Sequence, residues 1–166
     1  MKIKMKEKGQ SLLEALVALG AATLVMSAIA VAVLTSVNNS DFGKYLNQAT
    51  QYSQQGIEVL KQKSISDWVT FSGYTSGATY CFPQDPLQFI PPAGANCVPN
   101  IGTNNFFVRS AVLTKNSGNC AGAIKGTLVS VSTAWTDGKC KNASSIYCHT
   151  ATFNTCITDV DRVPAP

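Results

Sequence analysis

From Ala15 to Val37 the chain runs for 23 positions without a charged residue, and most of them are Ala, Val, Leu or Ile. About 20 apolar residues carry a helix across a bilayer. In hydrocarbon only a helix or a closed barrel satisfies its own backbone polar groups. A secretory signal has an apolar region of only about 7–15 residues and a small-residue cleavage site after it. "SAIA" at Ser27–Ala30 imitates such a site, but the apolar run continues through it. The segment is therefore expected to stay as a membrane span. Lys2, Lys4, Lys6 and Lys8 precede it, which places the N-terminus in the cytoplasm and the remainder outside. One carboxylate, Glu14, stands at the head of the run, where an ionisable group is costly and calls for a partner.

The formal net charge of the 166 residues is +4, from thirteen basic and nine acidic residues. Without residues 1–9, nine basic and eight acidic residues remain, a net of +1. The basic balance belongs to the leader, so no specific nucleic-acid partner is expected, since that would need a basic patch on the folded domain. The length suits one domain with a core of its own.

Six cysteines, Cys81, Cys97, Cys120, Cys140, Cys148 and Cys156, all lie beyond the apolar run. An even number in an exported domain reads as disulfides. No two are nearer than eight positions, whereas metal sites favour close pairs such as C-x-x-C, so no metal is expected. His149 is the only histidine and falls inside an expected strand with no nucleophile motif beside it. Hence no catalytic residues are assigned and no enzyme is expected. No glycine-rich phosphate motif is present, and no cofactor is assigned. Asp159 and Asp161 are too few for a calcium site, and the N-x-S sequons at Asn38 and Asn142 receive no role.

From Asn38 to Ser64 the sequence turns polar but keeps an apolar stripe of Phe42, Tyr45, Leu46, Ala49, Tyr52, Gly56, Val59 and Leu60. Spacings of three and four put these on one helix face. Gly43 and Gly56 each weaken a helix by about 1 kcal/mol relative to alanine, a cost that close packing can offset. Residues 10–63 as one helix would extend about 80 Å. Residues 65–104 show no helical period and are rich in Gly and Pro, so a loop region with one short strand near Tyr80–Phe82 is expected. Three segments then alternate as half-buried strands do: Phe106–Thr114, Gly126–Trp135 and Ser145–Thr155. In the second, Val129, Val131, Thr133 and Trp135 alternate with Ser130, Ser132 and Ala134. The turn-rich connectors favour successive antiparallel hairpins.

The stretch "KGQSLLEALVALG" joins a basic leader ending in Gly9 to Gln10 and then Glu14, the fifth residue after the glycine. It resembles the class III signal of type IV pilins and related prepilin-like proteins. The resemblance implies that a prepilin peptidase cuts between Gly9 and Gln10 on the cytoplasmic side, and that the amine of Gln10 becomes the N-terminus and the site of N-methylation. Gln10 departs from the phenylalanine that most members carry. The resemblance also implies that Glu14 serves assembly by meeting the N-terminal amine of a neighbouring subunit. "QATQYSQQGIEVLKQKS" is similar to the outer half-helix of many prepilin-like proteins, and "FFVRSAVL" with "TLVSVSTAW" is similar to the hairpin strands of the minor-pilin and pseudopilin branch.

The implied fold is α+β: a long N-terminal helix on a small C-terminal antiparallel sheet. The implied organisation is a leader at 1–9, a membrane and filament-core helix at 10–37, an amphipathic half at 38–64 and a disulfide-containing β-rich domain at 65–166. The implied partners are other pilin subunits, the prepilin peptidase, an assembly platform, a motor ATPase and the membrane, with a cell-surface filament as destination. Two alternatives stand: a pseudopilin of a type II secretion or DNA-uptake machine, or a signal-anchored extracellular binding module that does not polymerise.

Six cysteines allow fifteen pairings. With three strands in hairpin order, the end of the third lies beside the start of the second, which brings Cys156 to Cys120. Cys140, in the opposite connector, then meets Cys148. A continuous strand would hold Cys148 and Cys156 roughly 26 Å apart, while a disulfide needs Cα atoms within about 7 Å. Cys81 and Cys97 remain to close the proline-rich loop.

Overall fold

A computed structural model describes residues 8–83, 97–117, 120, 126–137, 140 and 147–158. Residues 1–7 of the leader, the centre of the proline-rich loop, Asn142, Asp159 and Asp161 lie outside the described residues. Helix α1 spans Lys8–Ser66 and helix α2 Trp68–Gly73. Strands β1 (Thr79–Cys81), β2 (Val108–Lys115), β3 (Thr127–Trp135) and β4 (His149–Ile157) form one antiparallel sheet in the order β1-β2-β3-β4. The layout is α+β. Two compact units divide it, Met1–Gly43 and Lys44–Pro166.

In the second unit the buried face of α1 is formed by Ala49, Ser53, Gly56, Ile57, Leu60 and Ser64. The apolar stripe read from the sequence is thus corrected. Leu46 is 38% exposed, and two serines take core positions instead. A buried hydroxyl is tolerated where it is hydrogen-bonded. Ser53 Oγ lies 2.8 Å from Thr133 Oγ1 and 3.0 Å from the Ala151 carbonyl oxygen, so it ties the helix to β3 and β4. Gly56 is required for close approach. A Cβ there would stand 2.8 Å from Val131 Cγ1 and 3.1 Å from the Phe82 ring.

The sheet face against α1 follows the alternation in the sequence: Val129, Val131, Thr133 and Trp135 are all buried. On β2 the same alternation buries Arg109 with Ala111 and Leu113. Arg109 is 1% exposed. Its Nε donates to the Phe82 carbonyl at 3.0 Å, Nη1 to Tyr52 O at 3.1 Å and Gln55 Oε1 at 3.3 Å, and Nη2 to Pro83 O at 2.7 Å. The guanidinium also lies 4.3 Å over the Phe82 ring. Desolvation by burial lowers its pKa to about 10, against a weaker raising influence from Tyr52. It therefore stays charged at neutral pH. This cation fastens the residues that follow β1 to the C-terminal part of α1.

Three further elements correct the sequence reading. Residues 65–104 are not devoid of helix. Asp67 ends α1 by donating its N–H to Lys63 O at 2.9 Å, then caps α2 by accepting from the Thr70 N–H at 3.0 Å. The capped turn buries Phe71. A short 3-10 turn at Thr103–Asn105 and a bridge between Ile101 and Phe107 precede β2, which starts at Val108 rather than Phe106. Strand β4 begins at His149, opposite Trp135, so Cys148 stands before the strand and not within it. The disulfides join Cys81 to Cys97, Cys120 to Cys156 and Cys140 to Cys148. The last is nested inside the loop closed by the second.

Candidate assembly helix

The N-terminal part of α1 is long and apolar enough to cross a membrane. Leucine and alanine favour the helix, while its valines and isoleucines favour it somewhat less because they lose χ1 freedom. The large apolar side chains from Leu12 to Val37 are 53–74% exposed, on every side of the helix. A helix apolar all round belongs in lipid or among other helices. Four hydroxyls interrupt the run, at Thr23, Ser27, Thr35 and Ser36, and the first three bond back to their own helix. Thr23 Oγ1 donates to Gly20 O at 2.9 Å, Ser27 Oγ to Thr23 O at 2.8 Å and Thr35 Oγ1 to Val31 O at 2.9 Å. At those three positions back-bonding satisfies the hydroxyl donor without a partner from the surroundings.

Gly9 and Gln10 fall in the first turn of α1, and Glu14 in the second. Gln10 and Glu14 are four positions apart, hence on one helix face about one turn from each other. Glu14 is exposed. The next charge along the helix is Asp41, so the stretch between them spans about 39 Å at 1.5 Å per residue. That exceeds the roughly 30 Å hydrocarbon core. Gly20 and Gly43 have nothing within 4 Å of a virtual Cβ. The two glycines noted in the sequence therefore differ: packing explains Gly56, and none of the described residues packs against Gly43.

Chemistry elsewhere is sparse. An open groove of about 360 Å³ lies beside Lys44, Gln48, Tyr52 and Asn104. Asn104, on its lining, has a positive φ of 56°, as do its chain neighbours Gly102 at 87° and Asn105 at 51°. Gly102 is needed there, since a Cβ would approach Phe107 to 2.9 Å. Among the described residues one group of metal-ligating side chains comes together: Asp137, Cys140, Cys148 and His149. His149 Nε2 lies 3.1 Å from Asp137 Oδ2. The sequence reading discounted a metal because no two cysteines lie close in the chain. The fold brings Cys140 to Cys148, which His149 follows, and sets Asp137, two residues beyond the end of β3, beside His149. Sequence reasoning also missed Arg109, although the alternation Phe107, Arg109, Ala111, Leu113 already assigned it to the buried face. No family model, curated protein or solved structure matches this chain.

Proposed function

We propose that the chain is a structural subunit, a pilin or minor pilin, of a type IV pilus-like filament. It inserts with a cytoplasmic N-terminus, is cleaved after Gly9 by a prepilin peptidase, and is drawn by a motor ATPase and a membrane platform into a cell-surface fibre. The carrying observation is the stretch of α1 from Leu12 to Val37, exposed and apolar on every face, whose one carboxylate, Glu14, stands one turn from the expected new N-terminus. A buried charge alone is unfavourable, and a pair is far less so. Glu14 and the Gln10 amine of a neighbouring subunit form such a pair. It selects axially staggered neighbours over loose helix packing. Apolar surface that faced lipid then faces other helices, with no change in the hydrogen bonds of Thr23, Ser27 and Thr35.

Intact-mass measurement of native protein from sheared surface filaments tests this reading. Loss of residues 1–9, with or without one added methyl group, is expected. A mature chain starting at Met1, or absence from the sheared fraction, overturns it.

A further inference from the structure

We infer that the disulfide corner of Asp137, Cys140, Cys148 and His149 is the oxidised form of a zinc site, in which two thiolates, an imidazole and a carboxylate hold the metal once Cys140–Cys148 is reduced. The four ligand atoms already lie within 4.8 Å of one another. Around tetrahedral zinc, ligands at about 2.0 Å for N and O and 2.3 Å for S stand roughly 3.3–3.8 Å apart. The His149 Nε2 to Asp137 Oδ2 separation of 3.1 Å is close to that already. The sulfurs must part to about 3.8 Å, which breaking their bond permits.

The surroundings suit thiolates. Cys140 Sγ accepts from the Cys148 N–H at 3.2 Å and from Thr136 Oγ1 at 3.4 Å. Such outer hydrogen bonds orient ligands and stabilise their charge. His149 is packed against Trp135, ring centroids 5.3 Å apart, and the pairing of Trp135 with His149 closes the hairpin end that carries Asp137. The corner is only partly buried and Cys148 is exposed, so solvent, reductant and metal can reach it.

The chemistry balances with a dithiol as reductant. Its thiolate attacks the exposed Cys148 sulfur, and Cys140 leaves as the thiolate its two donors stabilise. The reductant's second thiol displaces Cys148 and closes as its own disulfide. Two electrons and two protons pass to the protein, giving two thiols. Zinc then displaces both thiol protons and gains two thiolates, an imidazole nitrogen and a carboxylate oxygen, a centre of net charge −1.

The test uses the full chain in detergent micelles, reduced with a phosphine under nitrogen. Zinc is titrated against a chromophoric chelator, and cobalt(II) substitution reads the ligand set. Alkylation mapping records which cysteines are open. One metal per chain is expected, with the visible bands of a tetrahedral cobalt site carrying two thiolates. Cys81→Ser with Cys97→Ser should retain it, and Cys140→Ser with Cys148→Ser should lose it. His149→Ala and Asp137→Asn should each weaken binding at least tenfold, and these two carry the comparison if the paired serine variant does not fold. Uptake by the reduced wild type equal to that of the Cys140→Ser, Cys148→Ser variant overturns the inference. So does affinity unchanged by His149→Ala and Asp137→Asn.

Discussion

Residues 12–43 and 44–66 belong to one helix, yet they invert the usual relation between composition and burial. The first stretch is the more apolar, and its large side chains from Leu12 to Val37 are 53–74% exposed. The second is polar enough to include Gln48, Gln51, Gln54 and Gln55, and it buries Ala49, Ser53, Ile57 and Leu60 to 7% exposure or less. Apolar content sets what a surface costs in water, while a partner of matching shape sets whether it is covered. The sheet supplies that partner to the second stretch through small residues, Ser53 and Gly56, that let backbones approach. Among the described residues nothing covers the first stretch, and under the proposed filament reading its partners are lipid and then other subunits.

The sharpest way to break this contrast is Glu14→Ala. Under the filament reading it leaves a neighbour's amine buried without its counter-charge, costing about 3–5 kcal/mol per contact. Filament yield should fall more than tenfold in a strain lacking the wild-type copy, while the thermal midpoint of the folded domain stays unchanged. Normal yield would remove the role given to Glu14.

Arg109→Met should do the reverse. It fills similar space but strips donors from the carbonyls of Tyr52, Phe82 and Pro83. A loss of about 2–4 kcal/mol is expected by denaturant titration, with processing after Gly9 intact. The glycine pair gives a smaller and opposite-signed comparison. Gly56→Ala overpacks against Val131 and Phe82, costing about 1–3 kcal/mol less the roughly 1 kcal/mol gained in helix propensity. Gly43→Ala meets nothing within 4 Å and should raise helix stability by about 1 kcal/mol, read by circular dichroism in micelles. A Gly43→Ala that assembles poorly would show that Gly43 packs against another subunit.

The smallest effect lies at Asp67. The Thr70 side chain and N–H hold its carboxyl below the ordinary range. A depressed carboxylate pKa contributes stability above the unfolded value of 3.8, and that contribution is lost as pH falls through the folded value. Amide exchange at Thr70 should quicken on acidification below about pH 4, and Asp67→Asn, which keeps an accepting oxygen, should flatten the change.

The sheet was legible because Val129, Val131, Thr133 and Trp135 alternate cleanly, and alternation needs only one buried face. The order of hairpins followed from the turn-rich composition of the connectors. Six-residue α2 was not legible by period, since a single turn and a half has none, though Asp67 ahead of Trp68 carried a capping signal. Ser53 and Ser64 escaped because burial of a hydroxyl depends on acceptors that only the folded chain supplies. Arg109 escaped because three of its hydrogen-bond acceptors are backbone carbonyls, which every sequence has. Glu14 stood out as the one charge at the head of an apolar span, but its partner is sought on another copy of the chain, which no single sequence or fold displays.

The nesting of the disulfides carries a mechanical consequence. If the proposed filament reading holds, a subunit under tension is pulled through its helix, and whatever unravels lengthens it. Cys120–Cys156 bridges 36 residues with Cys140–Cys148 inside it. At about 3.3–3.6 Å per extended residue, that loop would otherwise release roughly 120 Å. With the bridge closed, β3 and β4 remain clasped however far the rest of the domain is drawn out, so an overstretched subunit keeps the template on which β2 and the helix can fold again.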